Sequence, residues 1–307
     1  MAFLRDLNHF VSLGFLLGLC QFTVNETTVV VQSMAHKVYI ITFHTVFLIV
    51  VTAFCYVDLN NSPYLVLFGA IRRLVFICDR MIIYVILASL YILGYLHRAK
   101  EIKFVNELNL LDDEIINKCN CECHKNSVQY IFILIVFVMY CFSNFVLYHK
   151  YYPVYNDDKT FQVTNIITLI LTFLILSLLV AYINLLAILL LQRFHILCKV
   201  AKQRKARSMD AFTSLLKLWE LKQDFNECFG TRLLIIQFIC FCMATDTTFQ
   251  LSLLLARPGT FAEKQIEIIM IYNPTVSMLI ANVFLAKTLD NLGEQVSDKL
   301  YFLDNIK

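Results

Sequence analysis

Residues 161–192 read FQVTNIITLILTFLILSLLVAYINLLAILLLQ, thirty-two positions without one charged side chain. A hydrocarbon core about 30 Å thick is crossed by about 20 apolar residues of helix. At ~1.5 Å rise per residue, this run crosses a bilayer and projects beyond it. The chain is therefore read as an integral membrane protein. Its composition agrees. Of 307 residues, 59% are hydrophobic and only 16% charged, and mean hydropathy is +0.68, where soluble domains carry about 25% charged residues. A net charge of +3 is too small to imply nucleic acid. Seven Gly and four Pro leave little to interrupt helices. With no repeat, low-complexity tract or long linker, residues 1–307 are expected to form one domain, an all-α polytopic transmembrane helical bundle.

Six segments qualify as spans: Val38–Val57, Met81–Leu96, Val128–Tyr148, Phe161–Gln192, Leu233–Ala256 and Glu267–Ala286. Lys and Arg set their orientation. The connection 97–127 holds five, 193–232 holds nine and 287–307 holds three. The alternate connections 58–80, 149–160 and 257–266 hold three, two and two. The richer set marks the cytoplasm, so the amino terminus is predicted inside. His9–Phe22 is too short to span and has a poor cleavage site for a signal peptide; it is expected at the interface. The sequon Asn25-Glu26-Thr27 would then face the cytosol and stay unmodified.

The cytoplasmic connections carry helical stripes. Phe104, Leu108, Leu111 and Ile115 recur at helix spacing within Lys103–Ile116. Leu215, Leu218, Trp219, Phe225 and Phe229 do so within Met209–Gly230, and Leu289, Leu292, Val296, Leu300 and Leu303 within the tail. These segments read as extensions of the spans that pack on one another. Trp219, Phe225, Phe229, Leu289 and Leu292 are candidates for holding subunits together.

Asp246 lies mid-span in FCMATDTTFQ (Phe241–Gln250). A carboxylate at membrane depth costs roughly 2.5–3.5 kcal/mol on insertion scales, so it faces a partner or a wet cavity. With Thr245, Thr247, Thr248 and Gln250 around it, Asp246 is the leading ligand-binding or ion-pathway candidate. His44, Asn144, Asn165 and Asn184 are single polar residues of the kind that join helices. Eleven scattered Cys suggest no disulfide framework. Cys119-Asn120-Cys121-Glu122-Cys123-His124 is too tightly spaced to surround one zinc ion, so neither metal nor cofactor is expected.

LLKLWELKQDFNECFGTRLLIIQF (Leu215–Phe238), with its Asn226, Phe229 and Gly230 turn, resembles the stretch before the fifth span of the insect gustatory receptors, part of the insect chemoreceptor superfamily. FVNELNLLDDEI (Phe104–Ile115) is similar to the helix after their second span. The resemblance covers most of the chain and agrees with the inward amino terminus. It implies a taste receptor of the sensory-neuron plasma membrane, a ligand-gated cation channel. It also implies an outward-facing pocket for a small organic ligand. Four identical or related subunits would surround a pore of seventh spans. That span's family signature is Thr-Tyr, an apolar run and Gln-Phe. No Thr-Tyr pair occurs here, so the 307-residue form is expected to lack it, as a truncated gene model, a pseudogene or a short isoform would.

Three other readings are weighed. A secondary transporter predicts repeated halves and interrupted spans, and neither is visible. A non-conducting receptor subunit would follow from the missing span. A membrane enzyme would need clustered catalytic side chains, whereas Asp246 stands nearly alone; no enzymatic activity is expected.

Overall fold

The computed structural model describes residues 11–12, 14, 22–24, 29–31, 34–61, 85, 88–119, 159–203 and 208–256 and, with gaps, 264–294. Four long helices carry most of them: α1 (Met34–Asn61), α2 (Arg98–Cys119), α3 (Lys159–Gln203) and α4 (Ser208–Ala256). The described residues between 264 and 294 are all helical as well. The expected third span, 128–148, lies outside the described residues, as do most of 58–87.

α3 and α4 are each long and apolar enough to cross a membrane, over Leu174–Lys199 and Thr213–Ala256, and α1 has a shorter apolar stretch, Met34–Val50. The fold is that of an all-α helical membrane protein. A helix that is hydrophobic all round must be buried in lipid or in protein. For α3 the surroundings are partly protein: every side chain from Leu179 to Leu190 is buried within the chain. That burial accounts for a run longer than a bilayer requires.

α2 grows out of the preceding helical segment 88–96. The amide of His97 donates to Leu93 O and that of Glu101 to His97 O, both at 2.9 Å, so helical bonding passes through the turn at His97. The stripe Phe104, Leu108, Leu111 and Ile115 is buried against α3 and α4. α4 corrects one expectation. Asn226, Phe229 and Gly230 form no turn; they lie inside one continuous 49-residue helix. Glycine mid-helix costs only about 1 kcal/mol, and burial of Phe225, Cys228, Phe229 and Ile236 on one face outweighs it.

One small feature is not helical. β1 (Phe22–Val24) pairs antiparallel with β2 (Val29–Val31), with Phe22 opposite Val31. Thr23, Val24 and three consecutive valines favour extended backbone, which the interfacial reading of His9–Phe22 did not foresee. β2 packs against α2, and Phe22 joins the common core.

The exposed surface changes character along the helices. Ile92, Tyr95 and Leu96 before α2, and Leu234, Phe238 and Phe241 on α4, are large apolar side chains left uncovered. Immediately beyond them the exposed positions are charged, in the pairs Lys100–Glu227 at 2.6 Å and Lys103–Asp224 at 3.5 Å. Uncovered apolar bands of this kind are what lipid covers in a membrane protein. The change at Leu96–Arg98 and Arg232–Leu234 marks one edge of that band.

Candidate functional site

Two polar assemblies stand out, one at each half of α4. The first is a charged junction where α2, α3 and α4 meet. Glu101 of α2 accepts from Tyr182 Oη of α3 at 2.9 Å and from Arg232 Nη2 of α4 at 2.9 Å. Three turns further along α2, Asp112 accepts from Arg193 Nε of α3 at 2.8 Å. Both α2–α3 contacts join residues 81 apart in sequence, so the two helices run parallel in one register. Glu101, Asp112, Arg193 and Arg232 are each 3% exposed or less, and the two arginines head the largest fully buried side chains among the described residues.

Such burial is tolerable only with dense pairing, since removing one partner of a buried ion pair costs about 3–5 kcal/mol. The surroundings supply it. The guanidinium of Arg232 lies 5.4 Å above the Phe229 ring and reaches Leu93 O at 3.5 Å. Phe229 in turn contacts Phe104, Phe225 and Tyr182 with ring centroids 5.0–6.2 Å apart. Outside this core, Lys217 reaches Glu114 at 3.1 Å. Thus Lys100, Lys103 and Glu114 of α2 meet Glu227, Asp224 and Lys217 of α4, antiparallel and with charges reversed at the far end. The nearby Cys228 thiol is free and buried.

The second assembly is a seam between the apolar half of α4 and the segment 264–294, bonded mostly through uncharged side chains, with Lys264 Nζ donating to Leu255 O at 3.2 Å. Gln237 Nε2 donates to Asn282 Oδ1 at 3.4 Å, and Asn282 Nδ2 to Cys240 Sγ at 2.7 Å. The hydroxyls of Thr247 and Thr275 bond to each other. Thr247, Thr275, Asn282 and Cys240 are all buried. Interhelical bonds of this kind average about 0.6 kcal/mol and reach about 1.7.

The candidates singled out by sequence are divided by this geometry. Asp246 is half-buried beside the seam. Thr245 and Thr248 lie on the exposed face, and each hydroxyl returns to its own helix, at Phe241 O and Ala244 O. The buried threonine is their neighbour Thr247. The Gln250 side chain lies outside the described residues. Phe225 and Phe229 are wholly buried within the chain, so their rings are committed to its own core; Trp219 is half-covered, with Lys222 Nζ 5.1 Å from its ring. Leu289 packs partly on the core, and Leu292 lies outside the described residues. Among the described residues no group of His, Cys, Asp and Glu is placed to hold a metal ion; positions 120–124 lie outside them.

The junction was not anticipated, although a signal existed. Glu101 stands three residues before Phe104, Asp112 four after Leu108 and Arg232 three after Phe229, so each charge falls on an apolar stripe. Charges on a stripe that must be buried require partners.

A polytopic all-α membrane protein, with a lipid-facing apolar band and a charged helical bundle at one end, is the class these features define. The family model of the 7tm chemosensory receptors matches residues 9–286. The chain belongs to that family, and with it come a receptor role, ligand binding and a membrane setting. No curated protein matches the chain.

Proposed function

We propose that this chain is a gustatory receptor subunit, a cation channel of the sensory-neuron plasma membrane opened by small organic tastants. The observation that carries the reading is the family match across residues 9–286. The insect origin, taste role and tetrameric assembly rest on the sequence resemblance. In this reading the charged bundle is cytoplasmic. β2 packs on α2, which supports an amino-terminal segment at the same end as the Lys/Arg-rich connections. Asp246, half-buried in the outward half of α4, is the proposed ligand or ion contact.

Ligand binding gates a channel only through differential affinity for its open state. The test is expression in cells without endogenous receptors, alone and with related subunits, under a panel of small organic tastants. A cation current that Asp246→Asn alters supports the reading. Surface-delivered protein that never conducts refutes it, and accumulation of a labelled tastant would instead indicate a transporter. Orientation has its own test: Asn25 stays unglycosylated if the amino terminus is inside, and a glycan removable by amidase would reverse the topology.

A further inference from the structure

Cations at the edge of the apolar band differ from those beyond it. Beyond the edge, Lys100, Lys103 and Lys217 each meet a carboxylate across the α2–α4 contact. At the edge stand Lys37 of α1 and Arg98, the first residue of α2. Both are half-buried, and among the described residues neither makes an ion pair. The sequence beside them holds no acid: residues 27–57 and 80–100 contain neither Asp nor Glu. Glu101 follows Arg98 by three residues, but it is buried and holds Tyr182 and Arg232.

The fold sets these two cations side by side. β2 ends three residues before α1 begins and packs on α2. Further along α1, the His44 ring lies 3.4 Å from that of Tyr91, centroid to centroid. α1 therefore leaves the bundle and enters the apolar band antiparallel to the helical segment 88–96. Lys37 is seven residues before His44, and Arg98 is seven after Tyr91. Seven residues rise about 10.5 Å and return a side chain to within about 20° of its first direction. Lys37 and Arg98 thus stand at one height on the facing sides of neighbouring helices. α4 docks elsewhere on that segment, where Arg232 reaches Leu93 O.

Facing cations repel, and partial burial strengthens the repulsion. An anion from outside the chain relieves it, and the position of the pair names the kind. On the band side of Lys37, Val38 and Ile41 are exposed; on the band side of Arg98, Ile92 and Tyr95 are exposed. The headgroup layer of a bilayer starts where its hydrocarbon ends and is about 5–7 Å deep. A lipid phosphate lies at the height of these two side chains.

We propose that Lys37 and Arg98 bind one anionic phospholipid of the leaflet next to the charged bundle, with its chains along Val38, Ile41, Ile92 and Tyr95. The Arg98 guanidinium matches two phosphate oxygens, and Lys37 supplies a point charge. A zwitterionic lipid brings its own ammonium to two cations, so the anionic lipid is preferred. The site needs the membrane setting alone and is independent of the channel reading.

Native mass spectrometry of the purified full-length chain, in detergent with an equal mixture of phosphatidylserine and phosphatidylcholine, tests it. The wild type is expected to retain one phosphatidylserine in preference to phosphatidylcholine. Lys37→Gln and Arg98→Gln are each expected to lower that preference about fivefold. Lys37→Arg and Arg98→Lys keep it, as does Lys217→Gln, which removes a cation far from the edge. No preference in the wild type overturns the proposal. So does a preference that survives both glutamine changes together, or one that Lys217→Gln lowers equally. Glycerophosphoserine, a headgroup without chains, leaves the lipid bound; its displacing the lipid at equal concentration would mean a site for soluble phosphate. A second measurement needs no variant. Phosphatidylserine with a photoreactive acyl chain is expected to label residues 34–41 and 88–96 of the wild type severalfold more than 234–241. Equal labelling of all three stretches overturns the site.

Discussion

α4 is one helix with two environments. Its first half, up to Arg232, packs aromatic rings and buried charge against α2 and α3 and turns Lys217, Glu220, Gln223 and Glu227 outward. Its second half, from Leu233, turns Leu234, Phe238, Phe241 and Leu255 outward and meets the segment 264–294 through Gln237, Cys240 and Thr247, with Lys264 Nζ on Leu255 O at 3.2 Å. The first half hides its most polar groups beneath a charged surface; the second presents an apolar surface of the kind that lipid covers. The difference shows how one helix is held by buried ion pairs at one end and by weaker, mostly uncharged hydrogen bonds at the other.

The contrast is broken most severely at the junction. Glu101→Ala or Arg232→Ala leaves the other charge buried and alone, and is expected to cost about 3–5 kcal/mol. Thermal unfolding in detergent checks this. Replacing both with leucine is expected to recover most of the loss, because no orphan charge remains. Tyr182→Phe is gentler. It keeps the ring against Phe229 and removes one hydrogen bond to a carboxylate, for about 1.5–3 kcal/mol in the same assay. A loss as large as that of Arg232→Ala would mean that the hydroxyl, rather than the ion pair, holds the three helices.

At the seam, Asn282→Leu is expected to cost between about 0.6 and 1.7 kcal/mol. A cost matching the junction would erase the distinction between the two ends.

The smallest effect belongs to the solvent-facing pair Lys100–Glu227. Its hydrogen bond and charge attraction lower the Glu227 pKa from 4.5 and raise the Lys100 pKa from 10.5. Stability from Glu227 is present above its ordinary value and fades as pH falls through its lowered folded value. Stability from Lys100 is present below its ordinary value and fades as pH rises through its raised folded value. The pair therefore contributes across the neutral range. A pH series of melting temperatures for wild type and Glu227→Gln is expected to differ least at the two extremes, and salt is expected to shrink the difference further.

Much of the helical framework was legible in the chain. The stripe Phe104–Leu108–Leu111–Ile115 named the buried face of α2, and Leu215, Leu218, Phe225 and Phe229 named that of α4, because apolar spacing and helix geometry share one period. The continuity of α4 through Gly230 was not legible, since local sequence marks a possible break and only packing on α2 and α3 overrides it. The hairpin at Phe22–Val31 was missed for a related reason: two three-residue strands give too short a pattern to stand out from an apolar run.

From sequence alone come the membrane setting, the helical periods and the asymmetry of Lys and Arg between connections. Each is a property of neighbouring residues, and lipid or water acts on it locally. The tertiary structure alone decided that Glu101 would take both Tyr182, 81 residues away, and Arg232, 131 residues away. It also decided that Thr247 rather than Thr245 or Thr248 would face the seam. Such pairings depend on which helices lie side by side and at what height. In a chain whose helices are all apolar, burial alone does not choose among registers, and the choice falls to a few charges that have nowhere else to go.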